Sequence, residues 1–194
     1  QGASANILVN SGFETGDFSG WTVNSTAVNY GVKKIGEATP DGHYGPGKVV
    51  GNDSYAAWLI TRSYSGQSLT LSQTVLFANG TYNIGFTYGS NQGPFGNFTS
   101  ILLDGVSIAT AGSQGDGSIN NGLQTLQTQQ SVVAGLHTVS FFLSGSGSAP
   151  LPLSADDFFV SNVNGDPAAV PEPGIAALLS LGFGALALAR RRKS

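Results

Sequence analysis

Alternation of apolar residues with small or polar ones is the feature that most limits what this chain can fold into. In the segment TYNIGFTY, residues 81–88, every second residue is apolar, namely Tyr82, Ile84, Phe86 and Tyr88. Because successive side chains of a β-strand point to opposite faces, this period predicts a strand with one buried face. The segment HTVSFFLS, residues 137–144, has the same period and is predicted to bury Val139, Phe141 and Leu143.

Turn signals between such segments predict antiparallel pairing. Asp104-Gly105 separates two apolar runs and Asn79-Gly80 precedes another, and both dipeptides suit the type I′ turn of a β-hairpin. The chain has 28 glycines among its 194 residues, and no helical period of useful length occurs before residue 170. We therefore predict an all-β fold, an antiparallel two-sheet sandwich of about ten strands, over residues 6–165.

Composition excludes several functions. Four of the 8 basic residues lie together at 190–193, against 11 acidic residues in the chain. The rest of the chain is therefore acidic, and nucleic acid is excluded as a partner. With no cysteine, a disulfide scaffold and thiol chemistry are excluded too. The only histidines, His43 and His137, have no serine or aspartate at the spacing of a known triad motif, so we predict that the protein is not an enzyme.

The end of the chain has three distinct parts. Residues 166–173 form a proline-rich linker, which keeps the chain extended. Residues 175–189 are uncharged, and a helix over 174–189 would be about 24 Å long. That length is short for a bilayer core of about 30 Å, but basic residues at its end can reach the interface. These residues are Arg190, Arg191, Arg192 and Lys193, which would stay cytoplasmic and place the β domain outside the membrane.

This layout resembles the PEP-CTERM sorting signal of Gram-negative bacteria. The resemblance rests on Val-Pro-Glu-Pro at 170–173, the short apolar helix and the arginine-rich end within 174–194. It implies an exported precursor held in the inner membrane by its C-terminal helix. It also implies an exosortase partner that acts at or near Pro171, Glu172 and Pro173, then transfer to the cell surface or an extracellular polysaccharide matrix. Residues 1–5, which contain the small-x-small pattern Ala-Ser-Ala, are predicted to be an N-terminal tail or a signal-peptide remnant.

Three segments of the β domain resemble galactose-binding-like jelly rolls, which include carbohydrate-binding modules of families 4 and 9. They are NILVNSGFETGDFSGWTVN at 6–24, LSQTVLFANGTYNIGFTY at 71–88 and SADDFFVSNV at 154–163. The resemblance implies a jelly-roll topology and leaves the ligand undefined. It also implies a structural calcium ion (Ca2+) bound by Glu14 and an aspartate of the last strand. Since neighbouring residues of a strand point to opposite faces, only one aspartate can bind the ion together with Glu14, and we select Asp157 before Asp156. In the alternative interpretation, these residues are acids of turns and of the surface that bind no metal.

Binding of a polysaccharide would require exposed aromatic side chains with polar neighbours. The candidates are Tyr44, Trp58, Phe95 and Phe98, although the apolar strand around Trp58 favours a core position for it, and Trp21 is predicted to be a core anchor. We therefore predict a non-catalytic, exported surface or matrix protein that binds exopolysaccharide. The alternative is a structural protein that self-associates into a surface layer or filament, with LQTLQTQQSVV at 123–133 as the pairing edge.

Overall fold

The computed structural model describes residues 5–27, 29–39, 49–61, 67–90, 96–112, 122–146 and 151–164. These residues form ten β-strands: β1 (Thr22–Ser25), β2 (Asn29–Lys34), β3 (Tyr55–Thr61), β4 (Gln67–Phe77), β5 (Gly80–Ser90), β6 (Gly96–Leu103), β7 (Val106–Gly112), β8 (Gly122–Val132), β9 (Gly135–Ser146) and β10 (Leu151–Asn162). The linker at 166–173 and the predicted helix at 174–189 lie outside the described residues. Within the described ranges, no helix has the length and apolar character needed to cross a bilayer.

The strands form two five-stranded antiparallel sheets. Sheet I has the order β1-β4-β9-β6-β7, and sheet II has the order β2-β3-β10-β5-β8. The predicted all-β fold with two antiparallel sheets is therefore confirmed. Asp104 and Gly105 both have positive φ, 50° and 80°, and join the paired strands β6 and β7 as predicted for a type I′ hairpin.

The hairpin predicted at Asn79-Gly80 is wrong. The strands on either side of this turn, β4 and β5, lie in different sheets, so the turn carries the chain from sheet I to sheet II. An Asx-Gly dipeptide favours a tight reversal, but local turn chemistry does not determine whether the next strand pairs with the previous one. The sheet that the next strand joins depends on its pairing with strands from distant parts of the sequence.

An aromatic cluster fills the space between the sheets. The ring of Phe158 lies 4.8 Å from Phe141, 5.1 Å from Phe86, 5.2 Å from Trp21 and 5.4 Å from Phe13, measured between ring centroids. Trp21 is 8% exposed, and its indole N–H donates a hydrogen bond to the carbonyl of Asn10 at 3.0 Å. Its predicted role as a core anchor is confirmed, because the ring is buried and its one polar atom is bonded.

A second, smaller cluster lies on the other face of sheet II. Ala56, Trp58 and Ile60 of β3 pack with Val49 and are covered by Ile35, whereas Ala57 and Leu59 of the same strand belong to the main core. Alternation along β3 therefore buries both of its faces. The cover over the outer face comes from Ile35 and the chain around residues 49–53, and the latter also forms part of the acidic site described below.

Candidate functional site

The outer face of sheet I is neutral and rich in hydroxyl groups. Its five strands contain no Asp, Glu, Lys or Arg. Across β4 and β9, the hydroxyl of Ser72 donates to that of Ser140 at 2.8 Å, and the hydroxyls of Thr74 and Thr138 lie 2.9 Å apart. These residues alternate with core residues such as Phe141, so the hydroxyl groups lie on the face opposite the core.

Two phenylalanines lie on this neutral face. Phe98 of β6 is 41% exposed, and its ring centroid is 6.1 Å from that of Phe142 in β9, with an angle of 64° between the rings. In the strand register, Phe142 is opposite Thr70 on one side and Ser100 on the other. The exposed ring of Phe98 and the partly buried ring of Phe142 thus share a face with hydroxyl side chains, of which Ser100 is buried and Thr70 partly exposed. Aromatic and hydroxyl groups together are the combination that neutral sugars require.

Of the other predicted sugar-binding residues, the structure describes only Trp58, and it does not join Phe98. Trp58 is 5% exposed on the opposite sheet, in the small cluster described above, so its ring has no surface for a ligand. Its indole nitrogen is a buried atom without a hydrogen-bond partner among the described residues. Tyr44 and Phe95 lie outside the described residues. Sequence reasoning missed Phe142, although the alternation that assigns Phe141 and Leu143 to the core also places Phe142 on the outer face.

A group of acidic residues, here called the acidic corner, lies where β10 meets the segment 51–53. It comprises Glu14, Asp53, Asp156 and Asp157. Asp156 is completely buried. Its Oδ2 accepts a hydrogen bond from the N–H of Asn52 at 2.9 Å, and its Oδ1 accepts one from the N–H of Asp157 at 2.8 Å. Burial raises the pKa of Asp156 to about 6, and the nearby negative charge of Asp157 raises it too, while the hydrogen bonds from the backbone lower it.

The prediction that the two aspartates of β10 point to opposite faces is wrong. The register between β10 and β5 changes between Asp156 and Phe159, and Asp157 has a φ of 51°. This β-bulge inserts one extra residue, so Ala155 and Phe158 both reach the core. The carboxylates of Asp156 and Asp157 consequently both contact residue 52: Asp156 through the backbone N–H, and Asp157 through the side-chain amide of Asn52.

Glu14 reaches the same corner from the N-terminal segment. Its Oε1 accepts hydrogen bonds from the N–H groups of Ser54 and Tyr55, both at 3.1 Å. A Cβ built on Gly12 would lie 3.2 Å from Oδ2 of Asp53, 3.8 Å from Oδ1 of Asp156 and 3.8 Å from Cγ of Glu14. Three acidic side chains thus lie within 4 Å of the Cβ position of Gly12, and this group contains Asp156 rather than Asp157.

The histidine in the described region is engaged in structural contacts. Nδ1 of His137 lies 2.6 Å from Oδ2 of Asp104, and Nε2 lies 3.1 Å from the carbonyl of Val133. The hydrogen bond to Asp104 raises the pKa of His137, and its ring packs edge-on against Phe77. Both ring nitrogens face acceptors, so this histidine offers no free nitrogen for general base catalysis.

Two stacked antiparallel sheets with this strand order define a jelly-roll β-sandwich, and solved structures of that class are similar to this chain. TmCBM61, solved in complex with beta-1,4-galactotriose, has a TM-score of 0.53 and 22% identity, covering 82% of this chain and 99% of TmCBM61. The K1 cleaved adhesin domain of Lys-gingipain from Porphyromonas gingivalis W83 has a TM-score of 0.54 and 10% identity, with coverage of 78% and 95%. At these identities the similarity shows the fold alone.

Enzyme structures also contain this fold. The CBM22-1-GH10 modules of a Clostridium thermocellum xylanase, complexed with xylohexaose, have a TM-score of 0.51 and 12% identity, covering 84% of this chain and 30% of that one. The enzymatically active domain of tailspike protein 4 from bacteriophage CBA120 has a TM-score of 0.53 and 15% identity, with coverage of 81% and 21%. This chain therefore spans only a minor part of either enzyme structure.

The end of the chain has its own match. Residues 169–193 match the family described as the PEP-CTERM protein-sorting motif, which confirms the resemblance seen in the sequence. A search of curated proteins finds no significant match to the chain.

Proposed function

We propose that this protein is an exported, non-catalytic surface protein that binds a neutral polysaccharide on the outer face of sheet I. The observation that carries this proposal is the exposed ring of Phe98, paired with Phe142 on a sheet whose strands contain no Asp, Glu, Lys or Arg. The jelly-roll fold supports it, since solved structures with this fold include modules crystallised with a galactotriose and a xylohexaose.

The chemistry of such a face suits an uncharged sugar chain. The apolar C–H face of a pyranose ring packs on an aromatic ring, and its hydroxyl groups exchange hydrogen bonds with serine and threonine side chains. The cross-strand hydroxyl pairs Ser72–Ser140 and Thr74–Thr138 extend along the face from the two phenylalanines. An acidic polysaccharide would find no lysine or arginine on these strands, and the one histidine, His137, is already paired with Asp104, which is why we propose a neutral ligand.

Replacing Phe98 with alanine is expected to weaken binding of a neutral polysaccharide by about tenfold, which corresponds to about 1.4 kcal/mol. The loss comes from the apolar surface of one exposed ring. Affinity electrophoresis through gels containing soluble galactan or xylan measures it, with calorimetry on the oligosaccharide that binds. The matched control is Leu136→Ala, because Leu136 is 71% exposed on the same sheet but lies six residues from Phe142 along β9, about 20 Å. Equal affinity of wild type and Phe98→Ala for every glycan bound would reject this face as the binding site.

The sorting motif supports a proposal about location. We propose that the precursor is held in the inner membrane by a helix over residues 174–189, with the β domain outside, and that an exosortase cuts near residues 171–173 before transfer to the surface. The match at 169–193 supports this, together with the basic residues that follow the apolar segment, Arg190, Arg191, Arg192 and Lys193.

Changing Pro171, Glu172 and Pro173 to alanine is expected to leave membrane insertion intact while the uncut form accumulates. The apolar segment and its basic end are unchanged, so only processing is affected. Immunoblots of membrane and surface fractions from cells that contain the exosortase measure both quantities, with an exosortase-deficient strain as the reference. Normal processing of the triple variant would rule out these residues as the recognition motif.

We also propose that the acidic corner binds a structural calcium ion. Asp156 is buried without a cation beside it among the described residues, and Glu14 and Asp53 also lie within 4 Å of the Cβ position of Gly12. Carboxylate oxygens are the ligands that Ca²⁺ prefers. Within the described residues, no three acidic or histidine side chains converge closely enough to hold a metal by themselves. Backbone carbonyl oxygens and water would therefore have to complete the coordination.

Removal of calcium with a chelator is expected to lower the melting temperature of the wild-type protein. A ligand that binds only the folded state at a hundredfold excess over its Kd contributes about 2.7 kcal/mol. Glu14→Gln should abolish most of the difference between calcium and chelator, whereas Asp17→Asn, an exposed acid of the same segment, should leave it unchanged. Identical melting curves with and without chelator would show that no such site exists.

A further inference from the structure

In the two sheets formed by the described residues, three of the four edge strands carry features that oppose pairing with another strand. β1 has only four residues, β2 ends in Lys33 and Lys34, and the pairing of β7 with β6 is interrupted by a register shift between Ile101 and Leu102. Short edge strands, lysines and bulges are the devices by which soluble β-proteins prevent edge-to-edge association.

The fourth edge, β8, has none of these features. It is 11 residues long, GLQTLQTQQSV, without a charge or a proline. Its register with β5 runs without interruption from Gly80–Val132 to Ser90–Gly122. Among the described residues β8 pairs with β5 alone, so the N–H and C=O groups along its other side have no partner strand. Its outward side chains, including Thr125, Gln127 and Gln129, are exposed and uncharged.

We propose that β8 is an interaction surface for a second copy of this chain, which adds its own β8 antiparallel to the first. Such a pair would join two copies of sheet II into one continuous sheet. A second copy fits this edge because the edge is self-complementary: a two-fold axis near Gln127 places amide and hydroxyl side chains opposite one another, with no like charges in contact. Charged strands of other proteins would gain no matching charge here.

The same comparison of edges predicts where assembly stops. Among the strands that the structure describes, each copy has one open edge, and pairing of β8 with β8 uses it in both copies. Growth into a filament would need a second open edge, and β1, β2 and β7 do not provide one. The proposed assembly is therefore a closed dimer rather than the surface layer or filament considered from the sequence.

Cysteine cross-linking tests the pairing directly, because the natural chain has no cysteine. Full-length Gln127→Cys, purified in detergent, is expected to form a disulfide dimer on mild oxidation. Thr125→Cys mixed with Gln129→Cys should cross-link more than either variant alone. Opposed residues of antiparallel strands have Cα atoms about 4.5–5.5 Å apart, within the range of a disulfide. Thr110→Cys, an exposed position of β7, controls for association through other parts of the chain.

Introducing a charge into β8 provides an independent test. Gln127→Lys and Gln127→Glu are each expected to abolish the dimer, since two like charges would meet at the two-fold axis, and an equimolar mixture should form a heterodimer. Circular dichroism spectra should stay unchanged, because the side chain of Gln127 is exposed and the fold of each copy does not depend on it. The proposal is overturned if Gln127→Cys cross-links no more than Thr110→Cys. It is also overturned if both charged variants remain dimeric. Coverage of this edge by another part of the same chain would give a monomeric Gln127→Cys and would overturn it equally.

Discussion

Replacing Phe158 with alanine is expected to lower the free energy of unfolding by about 3–5 kcal/mol. The Phe158 ring is 1% exposed and packs against Phe13, Trp21, Phe86 and Phe141, with centroid distances between 4.8 and 5.4 Å. These partners come from both sheets and the N-terminal segment, so the cavity would open at the centre of the domain. Urea denaturation followed by tryptophan fluorescence measures the loss, since Trp21 lies next to the ring.

The matched control is Phe159→Ala, the same change one residue further along β10. Phe159 is only partly buried and lies over Gly85 on the outer face of sheet II. Without the bulge at Asp157, alternation from Ala155 would place Phe159 in the core instead of Phe158. A larger loss of stability for Phe159→Ala than for Phe158→Ala would therefore contradict both the bulge at Asp157 and the position of Phe158 in the core.

In the presence of a chelator, the wild-type protein is expected to lose stability relative to Asp156→Asn as the pH rises from about 4 to about 6. Burial raises the pKa of Asp156 in the folded state from 3.8 to about 6. In this interval the unfolded chain releases the proton while the folded protein retains it, so ionisation favours unfolding. The difference between the two pKa values corresponds to about 3 kcal/mol of unfolding free energy.

The measurement is the difference in unfolding free energy between the two proteins across this pH range. Asparagine has a similar shape and does not titrate, so the substitution changes the unfolding free energy by an amount that does not depend on pH. Only the change of the difference with pH is therefore interpreted. Asp53→Asn provides a control for the loss of an exposed negative charge in the same corner. If the difference in unfolding free energy between wild type and Asp156→Asn does not change with pH, the pKa of Asp156 is the same in the folded and unfolded states, and burial does not disfavour its ionisation.

The sequence predicted those features that depend on neighbouring residues. The alternation in TYNIGFTY assigned Tyr82, Ile84, Phe86 and Tyr88 to one face of a strand, and all four are buried in the main core. The turn at Asp104-Gly105 followed from the ease with which these two residues adopt positive φ. The sorting motif at 169–193 could also be recognised, because its three parts are contiguous in the chain.

The candidate sites depended on contacts between distant residues. Phe98 could be named from its loop-like surroundings, but its partner Phe142 is brought beside it by the pairing of β6 with β9. Glu14 and the two aspartates were named from a resemblance. Their position around residues 51–53 arises from contacts across more than half of the chain, such as the bond from Asn52 to Asp156.

Local periodicity and turn chemistry therefore determined from sequence alone that the part of the chain described by the structure is all-β and which face of each regular strand is buried, because these properties act over a few residues. Tertiary structure alone decided which sheet each strand joins, as the turn at Asn79-Gly80 illustrates. It also decided the bulge at Asp157, which directs both aspartates to the segment 51–53 while Phe158 enters the core. That bulge is imposed by fitting β10 against β5 and the aromatic core at once, a requirement that no short segment of the sequence contains.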